Sequence, residues 1–509
     1  MFGVVTPGEN CIWKLFYGID YLSHLGTEIG GMAVLGHELV RRIHRITQSQ
    51  FKTEFSPDLH LFSGSMGIGV ISPKDEQPLM INPINPEIGL FCLATVGYVD
   101  NAEELVAEFT ASGIGFEYDD EEAKTINMTK LVGMMISQSD NLISGIEKMF
   151  YRIEGSISLL VLNTDGITAA RSLYGHTPLF LAQKDEAWAV SVETTSFPNL
   201  DFRVIKPFLP GEIIRLNENG PVTKSAEYHG CTQFCAFLPI YTAFPAAEFG
   251  DSTAEGYREN AGAYHATCDL EEGIQAQMVA GMADSGTPYA VGYAEATLDN
   301  IIGAIEQKIA SGQPLDPNET LALLSKIVRF RRPIVKYTPG WGRSYTPPKQ
   351  VDRDQVAKMK QIPIKDVWDD LTSLVLTEDS IVRGTQLAQY LRQLRHIIEK
   401  LWDKSWPDIH ARIGCPPLAW PCKYMLSTRT REELAARRIV TEILGHPPSD
   451  KEMRIYINPA NPEYHQMVSL IAQEIGVASL RFLPLEEMIR IIGLPAKEIC
   501  TYCWNGKGV

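Results

Sequence analysis

The sequence predicts two mixed α/β domains in succession, a strand-rich α+β domain over residues 1–230 and an α/β domain over 231–509. Three observations carry that prediction. The first half holds short apolar runs at Ser156–Asn163, Thr168–Arg171, Pro178–Ala182 and Ala187–Val192, parted by turn signals such as Thr164-Asp165-Gly166 and Gln183-Lys184-Asp185. Residues 101–110 and 129–150 space their apolar side chains as helices do. In the second half the apolar strand Leu374–Leu376 runs into two adjacent carboxylates, Glu378 and Asp379. A turn of small polar residues then leads into helical spacing at Leu387, Tyr390, Leu391 and Leu394.

With 509 residues the chain is long enough for two or three domains with substantial cores. Apolar residues make up 45%, and no apolar run reaches membrane-spanning length. The opening Met1-Phe2-Gly3-Val4-Val5 lacks the charged flank and long apolar core of a signal peptide, so a cytoplasmic protein is expected. A net charge of −16 argues against broad nucleic-acid binding and still allows a small basic pocket for a phosphorylated substrate. Nine cysteines are too sparse for a disulfide scaffold, which leaves metal ligation or plain burial.

The stretch from Leu374 to Gln386 suits a sugar phosphate. Backbone N–H groups of a Ser/Gly/Thr turn and of a helix N-terminus can hold the phosphate. Glu378 and Asp379 can accept hydrogen bonds from vicinal ribose hydroxyls or approach a magnesium ion. A plainer reading has Asp379 and Ser380 as ordinary helix-capping residues.

The wording of the stretch, Thr377-Glu-Asp-Ser-Ile-Val-Arg-Gly-Thr-Gln386, closely resembles V-D-D-S-I-V-R-G-T-T. That is the phosphoribosyl-pyrophosphate loop of the glutamine phosphoribosylpyrophosphate amidotransferase family, which makes phosphoribosylamine in the first committed step of purine synthesis. The resemblance implies an N-terminal-nucleophile-hydrolase-like four-layer αββα domain followed by an α/β type I phosphoribosyltransferase domain. It implies that Glu378 and Asp379 hold ribose and magnesium, and that Ser380, Arg383, Gly384 and Thr385 bind the 5′-phosphate.

The first half is similar to the family's glutaminase domain. Tyr17-Gly-Ile-Asp-Tyr-Leu-Ser-His-Leu-Gly26 resembles Y-G-L-x-x-L-Q-H-R-G, Gly175-His-Thr-Pro-Leu179 resembles G-L-R-P-L, and Val192-Glu193-Thr194 resembles S-E-T. Four departures outweigh those matches. The family's nucleophile, the cysteine of M-C-G-V-F whose own α-amine is its base, is Phe2 here. Cys11 is interior, has no α-amine and lies past the strand end. The substrate-clamping arginine of G-H-V-R-Y-A-T falls in Gly67–Pro73, which has none. The oxyanion-stabilising amide of A-H-N-G is Val96, and the acidic S-D-T-E falls near Asn127-Met128-Thr129-Lys130. Four parts of one mechanism are absent together, so this half is expected to keep the fold without glutamine hydrolysis.

In the second half Ala280-Gly-Met-Ala-Asp284-Ser285-Gly286 resembles the pyrophosphate loop T-G-V-P-D-S, and Val291-Gly-Tyr-Ala-Glu-Ala-Thr297 nearly repeats I-G-Y-A-E-A-T. Small residues before a helix let backbone amides approach a diphosphate closely. Gly342-Arg343-Ser344-Tyr345-Thr346 and Lys358-Met-Lys360 resemble the family's mobile lid, G-R-T-F-I followed by R-M-K, so Arg343, Lys358 and Lys360 are expected to close over the polyanion. A solvated charged loop is the alternative for these cations. Just before it, Tyr337-Thr-Pro-Gly-Trp341 replaces K-N-R-Y-V on the acceptor side. Apparent insertions lie near 299–332, with helical spacing at Ile301, Ile302, Ile305 and Ile309 and again at Leu321–Ile327, and near 443–462.

Four cysteines stand where iron–sulfur members of the family place theirs: Cys235, Cys422, and the C-x2-C pair Cys500 and Cys503. Four thiolates suit iron–sulfur or zinc, and the resemblance points to a structural [4Fe–4S] cluster. Cys11, Cys92, Cys231, Cys268 and Cys415 are expected to be buried thiols, with Cys231 close enough to Cys235 to be a rival ligand. The resemblance as a whole implies a homo-oligomer, dimer or tetramer. It implies a phosphoribosyltransferase that takes phosphoribosyl pyrophosphate and ammonia or another small amine. The alternative is a catalytically inert relative that regulates or scaffolds an active partner.

Overall fold

The computed structural model describes residues 1–508 apart from 27, 48, 121, 227–230, 283, 337–360 and 426–429. The boundary expected at residue 230 and the lid residues Arg343, Lys358 and Lys360 lie outside the described residues.

Two antiparallel sheets stack in the first half. One runs in the order Arg203–Pro207, Phe180–Lys184, Ala187–Ser191, Phe2–Val5, Met66–Ser72, Ile29–Leu35, Leu39–Arg45. The other runs Gly220–Ser225, Ile213–Asn217, Gly166–Ala170, Gly155–Asn163, Phe91–Val99, Leu79–Ile81. Period-two alternation in Gly155–Asn163 sorts its side chains between the layers. Leu160 and Leu162 enter the core shared with the first sheet, while Leu159 and Val161 pack under Ala102–Ala111, Met128–Ser137 and Leu142–Arg152. Leu15, Phe16 and Ile19 of the helix Ile12–Asp20 cover the outer face of the first sheet. The result is the four-layer αββα arrangement.

The helix expected over 129–150 is two helices, Met128–Ser137 and Leu142–Arg152. Asn141 separates them, because its side chain accepts from the Ser144 N–H at 3.0 Å and starts a new first turn. Apolar spacing carries across such a break because each piece presents its own stripe to the same sheet.

The second half holds a five-stranded parallel sheet in the order Arg329–Phe330, Met278–Gly281, Ser373–Glu378, Asp408–Ile413, Ser479–Phe482. Val279 and Val375 share a small core with Ala266, Ala290 and Tyr293, while Leu374 and Leu376 share a larger one with Leu387, Leu391 and Leu394. Thr287–Ala310 forms one continuous helix that leaves the sheet, with Ile301 buried and Ile302 and Ile309 exposed. Among the described residues no helix is long and apolar enough to cross a membrane.

One buried ionic knot ties this half together. Asp269 takes a two-pronged contact from Arg412 (Nε at 3.0 and 2.9 Å, Nη2 at 2.7 Å), a bond from Arg481 at 2.6 Å and the Tyr293 hydroxyl at 2.9 Å. Burial alone would raise the Asp269 carboxyl, yet its bonds to Arg412 and the charges of Arg412 and Arg481 hold it below the usual range. Asp269→Ala strands two guanidinium groups, one fully buried, and is expected to cost about 3–5 kcal/mol, read as a lower urea midpoint.

Candidate functional site

The site forms where two loops leave the C-terminal ends of neighbouring parallel strands, the place such sheets bind ligands. After Met278–Gly281 the chain turns through Asp284, Ser285 and Gly286 into the helix beginning at Thr287. A Cβ on Gly281 would lie 2.3 Å from the Gly286 carbonyl carbon, and one on Gly286 would lie 2.3 Å from the Thr377 carbonyl oxygen. Only glycine permits this approach. The Met282 N–H donates to the Thr377 carbonyl at 2.9 Å, and the Thr377 hydroxyl donates to the Gly286 carbonyl at 2.7 Å.

That clamp sets Ser285 against Glu378, the serine hydroxyl donating to Oε1 at 3.2 Å. Glu378 also accepts from the Asp379 N–H at 3.0 Å, and Asp379 accepts from the Ser380 hydroxyl at 2.6 Å. Burial and then the charge of Asp379 push the Glu378 carboxyl well above its ordinary value. Burial raises Asp379 as well, against bonds from Ser380 and Ser285 and the charge of Arg258. Beyond them the turn through Gly384, at φ +75°, delivers the chain into the helix Thr385–His396. None of the backbone N–H groups from Ser380 to Thr385 has a protein acceptor among the described residues. Arg383 lies on the exposed side of this turn and pairs with Glu433. Asp284 pairs with Lys336 at 3.2 Å.

The structure thus brings Asp284, Ser285 and Gly286 to the same rim as Glu378, Asp379, Ser380, Arg383, Gly384 and Thr385. Two participants went unread in the sequence. Lys336 ends a short strand and carries no motif. Arg258 is 4% exposed and donates to the carbonyls of Pro239, Ile240, Tyr241 and Ala243, which holds a fixed positive charge behind Asp379. Only the rarity of a fully buried arginine could have flagged it, and burial is not visible in the helix spacing.

Comparison with known proteins matches the glutamine amidotransferase domain over residues 65–199. Over nearly its full length the chain is 25% identical to the amidophosphoribosyltransferase of Methanocaldococcus jannaschii, covering 100% of this chain and 96% of that one. It is 27% identical to that of Methanothermobacter thermautotrophicus, covering 97% and 90%. Over its whole length the chain is similar to amidophosphoribosyltransferases. Among solved structures, the fold is similar to glutamine phosphoribosylpyrophosphate amidotransferase from B. subtilis complexed with ADP and GMP, with a TM-score of 0.76, 24% identity and coverage of 99% and 96%. The family's two-part architecture, an N-terminal-nucleophile glutaminase fold and a type I phosphoribosyltransferase fold, is therefore the architecture of this chain.

Within that fold the positions of the glutaminase motifs carry apolar side chains. Phe2 is fully buried, and its ring fills the notch over Gly18, where a Cβ would lie 2.4 Å from the ring carbons. Val70 is fully buried, Val96 is half-buried, and Met128 is buried with its N–H on the Asp75 carboxylate at 2.9 Å. Burial pushes the Cys11 thiol up to about 12, so it is no thiolate at neutral pH.

All nine cysteines are free thiols, with Cys11, Cys92 and Cys415 buried and Cys231 and Cys268 partly exposed. The strand Phe234–Cys235 pairs in parallel with Ile499–Cys500, placing Cys235 beside Cys500. The Ala419 and Trp420 N–H groups donate to the Cys503 carbonyl at 2.9 and 3.0 Å, which draws in the segment that ends at Cys422. The Cys422 and Cys503 thiols hydrogen-bond, and Cys235 and Cys500 lie close enough to raise Cys503 further. Cys231 does not join them; its sulfur meets the Gln233 side chain at 4.0 Å. Among the described residues no group of three or more His, Cys, Asp or Glu side chains stands at metal-ligand spacing.

The raised carboxyls set a sign for stability. A carboxyl raised by folding binds its proton more tightly in the native state, so stability is lost as pH rises through the native value. The ligand-free protein is expected to melt higher as pH falls from neutrality toward the ordinary carboxylate range. Glu378→Gln is expected to flatten that dependence and to raise the neutral-pH melting point, by about 1.4 kcal/mol for each unit of elevation removed.

Proposed function

We propose that this protein is a phosphoribosyltransferase that binds phosphoribosyl pyrophosphate and transfers the phosphoribosyl group to ammonia or another small amine not drawn from glutamine. The observation that carries the reading is the turn Ser380–Thr385, whose amides have no protein acceptor among the described residues, lying beside two carboxylates that meet the Ser285 turn. An amide-lined turn at a helix N-terminus suits a phosphate monoester. A second small-residue turn within hydrogen-bond reach of the carboxylates suits the diphosphate, and Glu378 and Asp379 between them suit the ribose hydroxyls.

In this reading the C1–O bond to diphosphate breaks with its electron pair leaving on the diphosphate, and the amine lone pair forms the C1–N bond. The resulting ammonium then gives its proton to solvent or to the departing diphosphate. The carboxylates hold the sugar and stabilise positive charge developing on the ring. Arg258 acts from behind as a positioning residue that favours the ionised form of Asp379. Magnesium, when bound, neutralises the diphosphate and improves it as a leaving group. An ion that keeps most of its waters needs only one or two carboxylates besides the substrate, so the Glu378–Asp379 pair fits it. Arg343, Lys358 and Lys360 would close over the site.

The aromatic and aliphatic side chains at the glutaminase positions support a first half without glutamine hydrolysis. Its role would be to pack and to build one side of the cysteine site. The donor set Cys235, Cys422, Cys500 and Cys503 fits a [4Fe–4S] group in its chemistry, as four gathered thiols free of disulfides. Such a group would tie the C-terminal tail to the start of the transferase half.

Incubation with phosphoribosyl pyrophosphate, magnesium and ammonia is expected to release pyrophosphate. Asp379→Asn should lower kcat/KM by roughly 100-fold or more. Unchanged release in that variant rules the catalytic assignment out, and binding without release marks an inert relative. With glutamine in place of ammonia, no glutamate is expected in the supernatant. Protein prepared without oxygen should contain iron and acid-labile sulfide in equal amounts, and Cys422→Ser should lose both.

A further inference from the structure

We propose that the charged cavity around Asp75, in the first half of the chain, binds a small aliphatic diamine with one ammonium group seated on the Asp75 carboxylate. The inference stands apart from the transferase reading and uses none of its residues.

The cavity has a volume of about 510 Å³ and opens between the end of the strand Phe91–Val99, the start of the helix Ala102–Ala111 and the segment leading into Met128–Ser137. That size suits a small molecule. Of the glutaminase motif positions only Met128 lines it, so the cavity lies beside those positions rather than on them. Asp75 lines it too and is 6% exposed. Its Oδ2 accepts the Met128 N–H at 2.9 Å, while its Oδ1 has no partner among the described residues. That second oxygen is not sealed in the interior, so the cavity is the space it faces. A buried carboxylate with one oxygen unpaired carries a desolvation cost that a donor removes. Burial accordingly raises the Asp75 carboxyl, against the Met128 bond and the Lys74 charge.

Charge selects the donor. Asp100, Glu103 and Glu104 set three further carboxylates at the exposed rim, against the ammonium groups of Lys74 and Lys124, so the lining as a whole favours a cation. Among the described residues no group of three or more His, Cys, Asp or Glu side chains stands at metal-ligand spacing, which turns the choice from a metal ion to an organic cation. Ala102, Ala123, Ile126 and Met128 give the wall apolar surface for a methylene stem. One anionic pole lies deep and a second lies at the rim, and two amines joined by such a stem answer both.

The test is isothermal titration of the full chain with the diamine putrescine at constant ionic strength. One saturable site is expected, with no saturable heat from the uncharged diol of the same length. Asp75→Asn keeps an acceptor for the Met128 N–H and should weaken putrescine at least about 10-fold. Asp379→Asn, far from the cavity in sequence and in the other half, should bind putrescine as the wild type does. No saturable binding, or equal affinity in Asp75→Asn, overturns the proposal. Loss of binding in Asp379→Asn overturns it as well, because the amine then sits in the transferase site. Displacement by magnesium at equal ionic strength marks an unselective acidic surface and also refutes it. Should Asp75→Asn fail to fold, Glu103→Gln and Glu104→Gln at the exposed rim take its place. Weaker putrescine binding in them supports the site, and unchanged affinity in both refutes it.

Discussion

The transferase half depends on how closely the turn after Gly281 presses on the end of the strand Ser373–Glu378. Two glycines without room for a Cβ, Gly281 and Gly286, let the turns meet, and Thr377 bonds across the gap. The approach has an electrostatic consequence. It confines two adjacent carboxylates against Ser285 with the Arg258 charge behind Asp379, and both are raised above their ordinary range. An unliganded protein holding that arrangement is under electrostatic strain that hydroxyl donors and a cation relieve. Under the proposed function, binding strength and native stability would be opposed at the same two side chains.

The first half shows the reverse situation, with apolar packing at the positions of the glutaminase motifs. Phe2, Val70 and Met128 stand where the family's motifs place a thiol, an arginine and a carboxylate, and each is absorbed into the apolar interior. Burial of such side chains stabilises the sheets, at about 25 cal/mol per Å² of apolar surface. The half also remains joined to its neighbour. Thr194 accepts from the Glu248 N–H at 3.0 Å, the His24 ring, held by Glu193 at 3.0 Å, lies against Phe244, and His176 meets the cysteine segment. These contacts join the glutaminase fold to the second half independently of any chemistry at its motif positions.

Most regular elements could be read from the chain because their signals are local. Alternation in Ser156–Asn163 and the strand-to-helix passage through Glu378 and Asp379 appear where expected. The stretch 129–150 misled because one apolar period runs through a helix break that only Asn141 marks. Arg258 and Lys336 escaped notice because their importance comes from what folds against them, four carbonyls in one case and Asp284 in the other.

What the sequence determined by itself was residue identity within matched motifs: the carboxylates and small residues of the Leu374–Gln386 and Ala280–Gly286 stretches, the four cysteines, and the apolar residues at the glutaminase positions. Such statements need only residue identity in a matched motif. The tertiary structure decided proximity and its electrostatic result. Cys235, Cys422 and Cys500 are far apart in sequence, and the raised carboxyls follow from exclusion of water. Desolvation depends on every neighbour at once, so no local pattern of letters encodes it.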